Sequence, residues 1–199
     1  MARYSGTAWR SFRPGATVAT AVASVTDAPA IGPAVRCRIL GLDPGSRRTG
    51  FGLIDSDAVG THHLASGCIS ASENDLALRL KRIYAAVRDL IDEHQPDEVA
   101  IERAFVHRNP DSALKLGQAR GAALCAAVSA GANAFEYAPR AVKLAVTGFG
   151  AAEKSQVAMM VTTLLALAER PLADAADALA VALCHAQGRR LLQIRGQAR

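Results

Sequence analysis

The chain is poor in cysteine: Cys37, Cys68, Cys125 and Cys184 are the only four in 199 residues, and none forms a Cys-x-x-Cys pair. That spacing suits neither a zinc site nor a secreted disulfide framework and points to free thiols in a reducing compartment. Half the residues are hydrophobic, yet no run reaches the length of a bilayer span. There is no internal repeat. Acids are scarce at the start. Residues 1–36 carry Arg3, Arg10, Arg13 and Arg36 against Asp27 alone, in a chain of net charge +5. This basic balance admits a polyanion partner without proving one. Methionine is missing between Met1 and Met159, so a shorter product would need another start, such as Val35. We read 1–36 as a disordered or misassigned N-terminal extension, with organellar targeting as the lesser alternative. Residues 37–199 form one domain with a sizeable core.

What is present is organised around Arg38-Ile-Leu-Gly-Leu-Asp-Pro-Gly-Ser-Arg-Arg-Thr-Gly-Phe-Gly-Leu-Ile54. Ile39 to Leu42 predicts a buried strand with Asp43 at its end. Pro44 and Gly45 force a turn, and Thr49 to Ile54 predicts the returning strand. Gly50 and Gly52 clear one face of that strand for a close approach. Thr61 to Ser70 completes an antiparallel meander, in which His62 and His63 read as solvated strand residues. Leu76, Leu80, Ile83, Val87, Leu90 and Ile91 keep helical spacing, and Pro96 stops that helix. Val99 to Ile101 predicts a short strand that also ends in an acid, Glu102. Asn109-Pro110 opens a helix to Ala130. Ala134 to Tyr137 is the fifth strand. Helices over Pro139–Val146, Glu153–Ala168 and Asp174–Gln187 follow, then a basic tail, Arg189 to Arg199. The order predicts an α/β fold, a mixed five-stranded sheet flanked by helices.

Acids gather at equivalent places. Adjacent parallel strands would set Asp43 and Glu102 side by side at one sheet edge, where open α/β sheets bind ligands. Asp174 and Asp177, three apart, share a helix face. Each has a bland alternative: Asp174 as an N-cap, Asp177 as a first-turn acid favoured by the dipole, Glu102 paired with Arg103 or Arg140, and Asp43 as a turn residue. Together they point elsewhere. Clustered carboxylates resist joint ionisation unless a cation sits among them. An all-oxygen set calls for Mg²⁺ or Mn²⁺. Two such ions about 3.5–4 Å apart activate water and stabilise the leaving oxygen in phosphodiester hydrolysis.

The strings LGLDPGS, IERAF, DSALKLGQARG, FEYAPRAVK, AEKSQV and ADAADALA, in this order from Arg38 to His185, resemble the RuvC family of Holliday-junction resolvases. The resemblance implies a ribonuclease-H-like fold and a homodimer that makes paired Mg²⁺-dependent nicks in four-way junction DNA during recombination and repair. It implies two ions per site, with Mn²⁺ as a substitute, and a branch-migration motor as partner. The expected location is the bacterial cytoplasm, associated with the nucleoid. The family's metal-binding acids fall on Asp43, Glu102, Asp174 and Asp177, its junction-contacting aromatic on Phe105, and its lysines on Lys143 and Lys154. The extension, residues 1–36, is the one departure.

Around these, His107 and Arg108 are candidate phosphate contacts in the Phe105 loop, as are Lys115 and Arg120 on the long helix. Lys143 and Lys154 lie beside element starts that could face the acids; a lysine is ordinarily a solvated charge, but near two metals it could hold a phosphate oxygen. Gly117 and Gly121 cost that helix about 1 kcal/mol each, a loss that close packing on the sheet or on a second subunit must offset; the resemblance favours the subunit. His185 reads as a surface or core residue. An actin-like ATPase would need a second phosphate loop and a duplicated domain. Gly148–Ser155 misses a P-loop because Glu153 stands where its second glycine belongs. A catalytically dead junction binder is the stronger rival, and the presence of every expected acid opposes it.

Overall fold

The computed structural model describes residues 36–103 and 110–197. Residues 1–35 and the loop carrying Phe105, His107 and Arg108 therefore lie outside the described residues. β1 (Cys37–Pro44), β2 (Arg48–Ser56) and β3 (Thr61–Ser70) form the expected antiparallel meander, and β4 (Glu98–Glu102) and β5 (Asn133–Tyr137) run parallel to β1. The sheet order is β3-β2-β1-β4-β5. The antiparallel meander thus gives way to parallel pairing at β1 and β4.

Alternation along β1 sorts its side chains into two cores. Leu40 and Leu42 join Ile83 and Val87 of α1 (Leu76–His94) and the buried alanines of α2 (Pro110–Ser129) on one face. Ile39 faces the other core, where α3 (Pro139–Thr147), α4 (Lys154–Leu164) and α5 (Ala173–Gln197) pack. The face cleared by Gly50 and Gly52 is the seat of α5. A Cβ on Gly50 would collide with the Asp174 carbonyl, and one on Gly52 would come within 2.7 Å of the Leu179 side chain. Only bare strand backbone lets the first turns of α5 lie so low.

Two boundaries differ from expectation. The helix expected to reach Ala168 ends at Leu164, because Ala166 adopts a left-handed conformation (φ 47°). Ala166 N donates to Thr163 O and Leu167 N to Thr162 O, the bonding of a Schellman cap without its usual glycine. The last helix does not stop at Gln187 but runs to Gln197. Arg189 pairs with Glu98, and Arg190 donates to the carbonyls of Asp57 and Gly60 at 2.8 Å each, so the expected tail begins as docked helix. At the other end Arg36, assigned above to the extension, joins Arg38 on the buried Asp55.

Candidate active site

Parallel pairing of Leu42 with Ile101 brings the ends of β1 and β4 level, so Asp43 and Glu102 stand side by side facing α5. They share a hydrogen bond. Burial drives the Glu102 carboxyl up, the adjacent Asp43 charge and hydrogen bond add to this, and it titrates at about 8. Burial also raises Asp43, although the bond from Glu102 favours its ionised form. The pair therefore holds one proton near neutrality, mainly on Glu102.

The acids of α5 are engaged differently. Lys154 Nζ lies 2.5 Å from Asp177 Oδ2, a bond that raises the lysine's pKa. Arg48 Nε lies 2.6 Å from Asp174 Oδ2, with the Cys68 thiol 3.5 Å from the same oxygen. Asp174 is not an N-cap: it lies inside the first turn of α5. Asp43 senses the negative charges of Asp177 and Asp174 and the positive charge of Lys154. A cleft of about 220 Å³ opens here, lined by Glu102, Asp177, Lys143, Lys154, Pro139 and Val142.

Among the described residues no group of three or more His, Cys, Asp or Glu side chains forms a ready-made metal cage. The reason is visible in the contacts: one acid carries a proton and two are turned to basic side chains. The donor set nevertheless fits a hard divalent cation. It is all oxygen, half-buried, and mutually repulsive enough to retain a proton.

Of the expected phosphate contacts, Lys143 and Lys154 line this cleft. Lys115 and Arg120 do not. They lie on α2, across the sheet from α5, where Lys115 pairs with Asp111 at 2.5 Å and Arg120 with Glu136. Arg103 also pairs with Glu136, not with Glu102. His185 is a core residue, 2% exposed. Arg48 was missed, though a sequence signal existed: it precedes Gly50 by two, and strand alternation puts both on the face that receives α5.

Together, the mixed sheet, its acid-tipped parallel pair and the acid-bearing helix above them define a ribonuclease-H-like domain. The family model described as crossover junction endodeoxyribonuclease RuvC matches residues 39–185. The crossover junction endodeoxyribonuclease RuvC of Aliivibrio salmonicida (strain LFI1238) is 55% identical over 161 residues, covering 80% of this chain and 93% of that protein. The chain belongs to the RuvC family. A RuvC from Marinobacter nauticus is 57% identical over 148 residues, 74% of this chain and 85% of the relative. The solved structure of T. thermophilus RuvC in complex with Holliday junction substrate has a TM-score of 0.73 at 37% identity, covering 79% of this chain and 97% of that one. The yeast mitochondrial Holliday junction resolvase Ydc2, at 13% identity and TM-score 0.65 over 87% of this chain and 88% of its own, shares the fold.

Proposed function

We infer that this chain is a crossover junction endodeoxyribonuclease that resolves four-way DNA junctions by paired, metal-dependent phosphodiester hydrolysis. The observation that carries this reading is the placement of Asp43 and Glu102 at the ends of neighbouring parallel strands, beneath Asp174 and Asp177 of α5, in a chain of this family. Asp43, Glu102, Asp174 and Asp177 would hold Mg²⁺, with Mn²⁺ able to replace it and two ions per site. Ions held there would supply a nucleophilic water and charge stabilisation at the leaving oxygen.

The chain's own groups do the rest. Glu102 would give up its proton on joining Asp43 in holding a cation. Lys154, now on Asp177, and Lys143 across the cleft are placed to grip a non-bridging phosphate oxygen and orient the scissile bond. Phe105 is assigned to stacking on an unpaired base and Arg108 to phosphate. Lys115 and Arg120 remain the weakest contacts, since both have acidic partners.

A symmetric junction calls for two sites related by a two-fold, and α2 supports a dimer. Added Cβ atoms on Gly117 and Gly121 would meet nothing within 4 Å, and Leu114 on the same helix is 63% exposed. The glycines are therefore not repaid by the sheet, which favours a second subunit. A branch-migration motor is the proposed further partner, and the bacterial cytoplasm beside the nucleoid the proposed location. Among the described residues no helix is long and apolar enough to cross a membrane.

The test is nicking of a synthetic four-way junction in Mg²⁺ by the full chain, Asp43→Asn and Asp174→Asn. Opposed nicks, lost in both variants while junction binding persists, support the reading. Binding without cutting by the unsubstituted chain, in Mg²⁺ and in Mn²⁺, favours a non-catalytic junction binder.

A further inference from the structure

Arg48 stands apart from the other basic residues near the site. It opens β2, and its side chain is 58% exposed against 33% for Asp174. Its guanidinium Nε nevertheless meets Asp174 Oδ2 at 2.6 Å. The surroundings fix this meeting from two sides. Gly50, two residues on and on the same face, has no side chain to hold the first turn of α5 away. Cys68 pairs with Gly50 across the β2–β3 ladder, and its thiol points at the same carboxylate oxygen, 3.5 Å away. The carboxylate is thus drawn toward the β2–β3 corner and its Oδ2 is occupied by donors.

A guanidinium and a divalent cation held by one carboxylate draw on the same negative charge and repel each other at close range. We propose that Arg48 is a resident counter-ion of Asp174, a positioning residue that turns this carboxylate away from the metal site and sets the cation concentration at which the site loads. The inference rests on the metal-site reading above and deepens it. Loading would then be a displacement, in which an incoming ion takes Asp174 in place of Arg48.

The size of the effect follows from the exposure of the pair. An ion pair this open to water is worth little, so removing it should tighten cation binding about two- to five-fold. Arg47 provides the control, being an exposed arginine one residue earlier. Its charge is equal, and at 0.15 M salt its influence at a distance is largely screened.

Isothermal titration of the full chain with Mg²⁺ alone, without DNA, decides the matter. The unsubstituted protein, R48Q, R48K and R47Q are compared, with circular dichroism confirming that each is folded. The expected result is tighter Mg²⁺ binding by R48Q and an unchanged affinity for R47Q. R48K, which keeps the charge but loses the fork, should fall between R48Q and the unsubstituted chain. A merely structural role for Arg48 would weaken binding, not tighten it. Equal or weaker binding by R48Q, or equal tightening by R47Q, overturns the inference and leaves the nuclease reading intact. No Mg²⁺ binding by the unsubstituted chain removes the metal site, and the inference with it.

Discussion

Glu98 and Glu102 lie four residues apart on β4, on the same face of the sheet and beneath the same helix, yet their environments push them in opposite directions. Burial alone would raise both. At Glu98 a hydrogen bond with His185 and the pairing with Arg189 overcome that penalty and hold the carboxyl below its usual range. His185 Nε2 faces Glu98, and its Nδ1 lies 2.5 Å from the Tyr137 hydroxyl, so each member of the cluster has a partner. At Glu102 the neighbour is another carboxylate, Asp43, and the pKa rises to about 8. One end of α5 therefore supplies its strand with an arginine and a hydrogen-bonding histidine, and the other supplies it with acids. The first arrangement is complete within the chain. The second, on the metal-site reading proposed above, would be completed by a cation from outside.

The largest expected effect removes the incomplete end. Glu102→Gln should reduce junction nicking by about 10²–10³-fold or more, as loss of a single charge-stabilising group does elsewhere. The same substitution should stabilise the metal-free protein at pH 8, because a neutral amide replaces a carboxyl that resists ionisation. A gain of about 1 kcal/mol would raise the thermal midpoint by roughly 2–4 °C. The complete end should behave oppositely. Glu98→Gln leaves Arg189 without its counter-charge and disturbs the His185 hydrogen bond, and should cost about 3 kcal/mol in denaturant melts. Nicking by the fraction that remains folded should persist.

Titration separates the two ends again. Folded Glu102 releases its proton near 8, whereas an unfolded glutamate does so near ~4.3. Between those values the folded state holds the additional proton, so metal-free stability should fall as pH rises through this window. Glu98 contributes with the reverse sign: its stabilisation is present above ~4.3 and is lost as pH falls through its depressed folded pKa. Thermal melts in a chelating buffer from pH 3 to 9 should therefore give a stability maximum on the acid side of neutrality. Saturating Mg²⁺ should flatten the alkaline decline. The smallest effect belongs to the far helix. Lys115→Gln breaks an exposed i,i+4 pair with Asp111 and should cost no more than ~0.5 kcal/mol, with junction affinity nearly unchanged.

Much of this was legible in the chain itself. An apolar strand closing on Asp43-Pro44-Gly45, a second closing on Glu102, and two acids three apart on a helix suffice to bring out the candidate site, because strand and helix periods dictate facing. Gly50 and Gly52 announced a close approach, and α5 proved to be the element that makes it. What failed depended on partners distant in sequence or on a cap without its usual residue. Continuation of α5 past Gln187 rests on Glu98 and on the Asp57 and Gly60 carbonyls, which no local pattern reveals. The stop at Leu164 uses an alanine in a left-handed conformation, where a glycine would have been the signal. Arg120 looked like a free cation until the fold set Glu136 beside it.

The most direct test of an acid pair awaiting its cation is the number of protons released when Mg²⁺ binds, measured by isothermal titration at pH 7 in two buffers of different ionisation enthalpy. The shared proton of Asp43 and Glu102 predicts release of about one proton by the unsubstituted chain and close to none by Glu102→Gln. Binding with no proton release by the unsubstituted chain, or equal release by both, would contradict it.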